Sequence, residues 1–211
     1  MTHPKILLRQ ASATIFAALL PCLGGHAQER CQAFNLETLP KREVRAVWLT
    51  TLSNLDWPKG YATTQEGIER QKRQLTEILD RYAEANINTV LFQARVRATT
   101  TYPSALEPWD RCLTGQEGRA PGYDPLRFAI EECHKRGMEL HAWLATIPCG
   151  PWTSLGCRRL RAKGLRLRKL DGAGYLDPSD ERVAPYLASV CAELTEKYDI
   201  DGIHLDYIRY P

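Results

Sequence analysis

Apolar and polar positions follow two periods along this chain, and the two periods alternate. Short apolar runs predict four strands, at residues 44–51, 88–95, 139–146 and 202–210. Helical spacing separates them, from about Gly67 to Ala85, from Asp124 to about Gly137, and from about Pro178 onward. Strand–helix alternation of this kind predicts a parallel sheet with right-handed crossovers.

The predicted connections differ in length according to their direction. Helix-to-strand connections are short, as at Asn86-Ile87 and Gly137-Met138. Strand-to-helix connections take about fifteen residues after the first strand and nearly thirty after the next two, far above ordinary loop lengths. Long loops at the carboxyl ends of strands are where α/β folds keep their active sites. The turn Thr50–Ser53 lacks the glycines of a phosphate-binding loop, which favours a barrel over a doubly wound sheet.

The predicted elements account for part of a barrel. An eight-stranded (β/α)8 TIM-type barrel takes about 250 residues, and residues 43–211 supply roughly its first four strands. Half a barrel leaves sheet edges and an apolar face uncovered. We therefore predict that residues 43–211 are the N-terminal half of a catalytic barrel, either as a fragment or associated with a second copy.

The first 27 residues have the pattern of a secretory signal. Lys5 and Arg9 precede an apolar run from Ala11 to Leu23, and Gly25-His26-Ala27 offers a cleavage site. Lipid attachment at Cys22 is the alternative. We predict a signal peptide at 1–27, a linker at 28–42, and a periplasmic or extracellular protein without a membrane span.

Export affects how the cysteines are interpreted, because disulfides persist in oxidising compartments. Cys149 and Cys157 share one predicted loop and are the best candidates for a pair. Cys133 and Cys191 are predicted instead to be small buried apolar residues on helices.

Composition argues against several functions. A net charge of +3, from 28 basic and 25 acidic residues, does not suggest a nucleic-acid-binding surface. The absence of CxxC, HxH and HExxH motifs from the sequence argues against a metal site, although a site built from His141, His204 and Asp206 is a rival interpretation. No cofactor is predicted. The basic run from Arg158 to Lys169 is predicted to be a solvated loop.

Strand parity sorts the polar residues. In the last strand His204 and Asp206 should face the barrel axis, and in the second strand Gln93 and Arg95 should do so. Arg95 and Asp206 lie near the carboxyl ends of their strands, where they could act on a substrate or form a structural ion pair. Parity alone leaves both alternatives open.

Four segments resemble a known family: REVRAVWLTTLSNLDWP (42–58), NTVLFQARVRATTTYPSALEPW (88–109), PGYDPLRFAIEECHKRGMELHAWL (121–144) and DGIHLDYIRYP (201–211). Together they are similar to the glycosyl-hydrolase-like family 10 proteins, in the same order and over most of residues 42–211. The resemblance implies an exported TIM-type barrel that acts on glycan chains, and some relatives are associated with cell-wall glycan that lacks its peptide stems.

Glycoside hydrolysis usually requires two carboxyl groups. We predict Asp206 as one of them, with its partner on a later strand and with Asp56 and Glu107 as weaker stand-ins. Aromatic, basic and hydrogen-bonding side chains are predicted to contact the sugar: Arg95, Tyr207, Trp57, His141, Arg209 and Trp143. The rival hypotheses are a non-catalytic glycan-binding barrel and an inactive truncated product.

Overall fold

A computed structural model describes residues 43–209. Four of its strands form one parallel sheet in the order β1-β2-β3-β7. The strands are β1 (Ala46–Leu49), β2 (Thr89–Arg95), β3 (Glu139–Ala145), β4 (Pro148–Pro151), β5 (Leu167–Leu170), β6 (Ala173–Leu176) and β7 (Gly202–Asp206). The helices are α1 (Gln65–Glu84), α2 (Arg111–Thr114), α3 (Pro125–Lys135), α4 (Leu155–Ala162) and α5 (Val183–Lys197).

The three predicted crossover helices are present, and two begin where their capping residues indicate. The hydroxyl of Thr64 accepts a hydrogen bond from the Gly67 amide at the start of α1. Asp124 caps α3, with Pro125 in the first turn as predicted. Helix α5 begins five residues later than predicted, at Val183 rather than Pro178, because Asp177 and Asp180 hold the intervening residues in turns.

The apolar core lies between the sheet and the helices. Val90 and Phe92 of β2 and Leu140, Ala142 and Leu144 of β3 all belong to it. These are positions that strand parity assigns to the helix side, so the parity prediction is confirmed for these five residues. Burial of these side chains is the main apolar stabilisation of the sheet.

The sheet is strongly curved. β1 and β7 are its opposite edges, yet the rings of Trp48 on β1 and His204 on β7 meet edge to face with centroids 5.7 Å apart. Two side chains can meet across four strands only if the sheet curls around them. His204 therefore faces the concave side, as parity predicts.

A second, antiparallel sheet occupies the connection after β3, which the hydrophobic pattern assigns to loop. Its strand order is β4-β6-β5, and a small apolar core beneath it includes Leu160 of α4 and Leu176 of β6. Asp171 and Gly172 join β5 to β6 with φ values of 46° and 79°. That combination belongs to a tight two-residue hairpin turn, for which Asp-Gly is a strong signal.

The basic run from Arg158 to Lys169 is consequently not a loop. It covers most of α4 and the first part of β5, and its charged side chains lie on the outside. The guanidinium of Arg161 stacks 4.1 Å from the centre of the Trp152 ring. The basic run is thus part of the folded segment that connects β3 to α5.

The cysteines of the described residues carry free thiols. Cys149 and Cys157, the predicted pair, are therefore not linked, but both are fully buried and the Cys157 sulfur lies 3.1 Å from the Cys149 carbonyl oxygen. A hydrogen bond with Cys149 lowers the pKa of Cys157 to about 7. Cys133 is a buried apolar residue as predicted, and burial raises its pKa to about 12.

No helix within residues 43–209 has both the length and the apolar character needed to cross a membrane. The predicted signal peptide and linker lie outside the described residues.

Core packing should depend on β3 far more than on the exposed hairpin. Leu140 is fully buried, whereas Leu170 of β5 is 45% exposed. We expect Leu140→Ala to lower the free energy of unfolding of the full-length protein by about 2–5 kcal/mol. Leu170→Ala, which removes the same atoms at an exposed site, should change it by about 0.5 kcal/mol at most. Urea unfolding of both variants measures the difference, and equal losses would contradict the assigned core.

Candidate active site

Asp206 is the last residue of β7 and lies opposite Ala145, the last residue of β3. Its carboxylate accepts two hydrogen bonds, one from the Trp143 indole nitrogen at 3.0 Å and one from its neighbour's amide, Tyr207 N, at 2.6 Å. The side chain is only partly buried. Both carboxylate oxygens are thus oriented while a face remains open to a ligand.

The backbone of Asp206 is also anchored. Its carbonyl oxygen accepts hydrogen bonds from the amide and the hydroxyl of Thr146, at 2.9 and 2.7 Å. Tyr207 then takes a φ of 50°, in the left-handed region that non-glycine residues rarely adopt. This strained residue directly follows the candidate catalytic residue, and residues with strained backbone are common at active sites.

Two cavities lie beside the carboxyl ends of the strands. The first has a volume of about 490 Å³ and is lined from β2 by Gln93, from the β3 side by Ala145 and Ile147, and from β7 by Tyr207 and Arg209. The second has a volume of about 570 Å³ and lies toward α2 and α4. Both volumes are in the range of ligand sites.

Two predicted sugar contacts, Tyr207 and Arg209, line the first cavity. Tyr207 is 46% exposed, and the Arg209 guanidinium lies 5.0 Å from the centre of its ring. An exposed aromatic face beside a cation suits the apolar face and the hydroxyls of a sugar. The structure places both residues next to Asp206, and their contact with substrate stays a prediction.

Trp143 contacts the candidate catalytic residue, and its predicted contact with sugar stays a prediction. Its indole nitrogen donates to Asp206, so the side chain serves first to orient the carboxylate. We therefore treat Trp143 as a positioning residue.

The prediction that Arg95 faces the barrel axis and contacts the substrate is wrong for this structure. The pairing of β2 with β3 shifts between Gln93 and Arg95, which places Arg95 opposite Leu144, a residue of the helix side. A β-bulge of this kind reverses the parity that follows it. Arg95 is fully buried, and the structural alternative, an ion pair, is the one observed.

The partner of Arg95 is Glu107, from the long connection after β2. The guanidinium donates to both carboxylate oxygens of Glu107, at 2.7 to 3.0 Å, and also to the carbonyls of Ala145 and Thr146. Tyr186 of α5 donates to Glu107 at 2.9 Å. Burial lowers the pKa of Arg95, but the charge and hydrogen bonds of Glu107 outweigh it and raise that pKa overall.

Trp57 and His141 are also displaced from their predicted roles. Trp57 is fully buried after β1, packs against the core ring of Phe92 with ring centroids 5.9 Å apart, and donates its indole N–H to the Gln71 carbonyl. His141 lies in the amino-terminal half of β3, opposite Gly202, with Glu139 3.3 Å away. A strand rises about 3.3 Å per residue, so His141 is far from the carboxyl edge where Asp206 lies.

The weaker carboxylate candidates have structural partners. Asp56 accepts from the Thr50 amide at 2.9 Å, and Glu107 is bound to Arg95. No group of three or more His, Cys, Asp or Glu side chains within residues 43–209 is arranged to hold a metal ion. Of the two, Glu107 is held away from a catalytic role by its buried ion pair, and a role for Asp56 stays a prediction.

Sequence reasoning assigned no role to two residues of this region, although parity placed Gln93 toward the barrel axis. Gln93 accepts hydrogen bonds from the Thr51 and Leu52 amides, at 2.9 and 3.0 Å, and thereby fixes the loop after β1 beside the first cavity. Arg97 is exposed and lines both cavities. Its place directly after the carboxyl end of β2 was the available signal.

Comparison with known proteins gives consistent matches. The family described as Glycosyl hydrolase-like 10 matches residues 43–211. Among curated relatives, the chain is 33% identical over 186 residues to Glycosyl hydrolase YngK of Bacillus subtilis, covering 81% of this chain and 34% of that protein. It is 32% identical over 184 residues to Glycosyl hydrolase DigH of Escherichia coli, covering 79% and 42%. The chain thus spans less than half the length of these relatives.

Among solved structures, a maltogenic α-amylase, AmyB from Thermotoga neapolitana, matches with a TM-score of 0.52 at 13% identity. The match covers 80% of this chain and 40% of that one. At this identity the likeness concerns the fold alone.

Removing one partner of the Arg95–Glu107 ion pair should destabilise the fold more than removing both. Glu107→Gln and Arg95→Met each leave a buried charge without its partner, so we expect each to lower the free energy of unfolding by about 3–5 kcal/mol. The double variant should recover part of that loss. Denaturant unfolding of the full-length protein and its three variants gives the coupling energy, and additive losses would argue against the assigned interaction.

Proposed function

The chain belongs to the Glycosyl hydrolase-like 10 family, and on that basis we propose that the protein hydrolyses glycosidic bonds with Asp206 as a catalytic carboxylate. One observation carries the assignment of the residue: the Asp206 carboxylate is fixed by two hydrogen bonds at the carboxyl edge of the parallel sheet. The carboxyl edge is the active face of α/β barrels.

The hydrogen bonds of Asp206 favour one of the two roles that glycoside hydrolysis offers a carboxyl group. Both bonds are accepted from N–H donors, which suits an ionised carboxylate. An ionised carboxylate can act as nucleophile or can stabilise the positive charge that develops at the anomeric carbon. The general acid would then be the second carboxyl group.

We propose that this second carboxyl group comes from a strand beyond the four that form the parallel sheet. The curated relatives are more than twice as long as the matched region. The curvature that brings Trp48 to His204 fits continuation into a closed eight-stranded barrel. Leu205, on the helix side of edge strand β7, is 43% exposed, as expected of a side chain that a further helix would cover.

As substrate we propose a bacterial polysaccharide, in particular peptidoglycan glycan without peptide stems. The cavity beside Asp206, with Tyr207 and Arg209 on its wall, has the size and the lining of a sugar site. Export through residues 1–27 would place the protein with such a polymer. A glycan-binding barrel without catalysis is the alternative, and it predicts saturable binding without bond cleavage.

Loss of the Asp206 charge tests the assignment. We expect Asp206→Asn in the full-length protein to lower the release of reducing ends from glycan strands by at least about a thousandfold, while binding is retained. Asp199→Asn, at an exposed position after α5, is the matched control and should leave the rate unchanged. Equal rates for all three proteins would remove Asp206 from the mechanism. Binding by the parent protein without any cleavage would establish the non-catalytic alternative.

The role of Trp143 can be tested separately. Trp143→Phe keeps an aromatic ring but removes the N–H that orients Asp206. We expect kcat to fall about tenfold or more with little change in KM, because the missing bond affects the reacting carboxylate rather than substrate affinity. A raised KM at unchanged kcat would instead identify Trp143 as a direct sugar contact.

A further inference from the structure

The two cavities at the active face share a wall, and Arg97 is part of it. Leu52, Val96, Arg97, Gly150 and Pro151 line both. A ligand longer than one cavity, such as a glycan strand, would therefore pass Arg97 on its way from one to the other. This makes the chemistry of the Arg97 side chain relevant to what the groove accepts.

Arg97 differs from Arg95, which lies two residues earlier. Arg95 is fully buried against Glu107, whereas the Arg97 side chain is exposed and has no ion pair or hydrogen bond to any of residues 43–209. The aliphatic part of its side chain lies against Gly150. A Cβ atom added to Gly150 would be 3.5 Å from the Arg97 Cβ, so the contact is close. The aliphatic part is thus supported while the guanidinium keeps all its donors for a ligand.

The turn that carries Arg97 is firmly held. The Val96 amide donates to the Thr99 carbonyl at 2.9 Å, and the Thr99 hydroxyl donates to Asp110 at 2.5 Å. Ala98 takes a φ of 57° and is completely buried. A guanidinium on a fixed turn loses less conformational freedom when it binds than one on a mobile loop.

The charges that line the groove balance, with three carboxylates and three arginines, and none of these carboxylates forms an ion pair with Arg97. Asp110 and Glu117 line the second cavity, but Asp110 accepts from the Cys112 amide and Glu117 accepts from the Leu155 and Gly156 amides. Asp171, at the hairpin turn beside the first cavity, has no such partner within residues 43–209. Three cations line the two cavities: Arg97, Arg111 and Arg209.

We propose that Arg97 is a specificity residue that binds the carboxylate of an acidic sugar in a glycan strand spanning both cavities. The planar fork of arginine matches a carboxylate, with two parallel hydrogen bonds. The proposal rests on the proposed function and refines its substrate. In peptidoglycan the lactyl carboxyl group of the muramic acid residue is free when the peptide is absent and is an amide when the peptide is attached. Arg97 would thereby select strands without peptide stems.

Binding to two forms of one polymer tests this. Peptide-free glycan strands are compared with the same strands after carbodiimide coupling to methylamine, which converts each carboxylate into a neutral amide. Binding is measured by calorimetry on full-length protein carrying Asp206→Asn, so that no cleavage interferes. We expect the free-acid strands to bind about tenfold or more tightly than the amidated strands, the effect of one charge-assisted contact.

Variants of Arg97 then test whether this residue causes the preference for free-acid strands. Arg97→Gln should lose the preference by weakening binding of the acidic strands alone, and Arg97→Lys should keep part of it. Arg73→Gln, an equal loss of charge at an exposed position of α1, is the control and should keep the whole preference. Thermal melts of each variant confirm folding.

The outcomes separate this proposal from the proposed function. Equal binding of both polymers by the parent protein, or an Arg97→Gln variant that keeps the preference, would overturn the role of Arg97. Binding of neither polymer would overturn it as well. If the protein with Asp206 intact releases no reducing ends, yet the preference and its loss in Arg97→Gln are observed, hydrolysis is refuted while the carboxylate site stands.

Discussion

A buried ion pair joins the segments of this protein that meet at the carboxyl edge of its parallel sheet. Arg95 at the end of β2 binds Glu107 of the following connection, the two carbonyls after β3, and through Glu107 the Tyr186 hydroxyl of α5. Because an unpaired charge in such a site is costly, each of these four segments restrains the position of the others. Thr146, which accepts one of the Arg95 bonds, itself donates to the backbone of Asp206. The position of the candidate catalytic residue therefore depends on a pair that never contacts substrate.

Much of this arrangement follows from the sequence, because hydrophobic periodicity and capping residues act locally. The order of the four parallel strands and the three crossover helices, the core positions of β2 and β3 and the cap Asp124 follow from the sequence in that way. His204 faces the concave side, and Asp206 lies at the carboxyl edge of its strand, as the pattern indicates.

The failures arise where a nonlocal contact overrides the local pattern. One extra residue in β2 reverses the direction of Arg95, and periodicity carries no sign of such a bulge. Trp57 is in the core because the loop after β1 packs against α1. A hydrogen bond from the Trp57 indole to the Gln71 carbonyl of α1 holds it there. The β4-β6-β5 sheet was missed although Asp171-Gly172 signalled its hairpin, since its strands are too short for a clear alternation.

Arg95 and Arg97 illustrate how one short segment serves two purposes. The first is buried and holds the fold together, and the second is exposed and free to meet a ligand in the groove. Family membership supports a glycosidase, while the roles of individual residues rest on this geometry. Asp206, Trp143 and Tyr207 form one hydrogen-bonded unit, and Tyr207 lines the first cavity, so we expect a sugar bound there to lie against the exposed ring that directly follows the carboxylate residue.

The most direct test of this account is a crystal structure of the full-length protein carrying Asp206→Asn, with a glycan oligosaccharide bound. The account predicts an anomeric carbon within about 3–3.5 Å of the residue 206 side chain, the geometry that reaction requires, with the chain continuing past Arg97. An oligosaccharide bound with its glycosidic bonds away from residue 206 would contradict it.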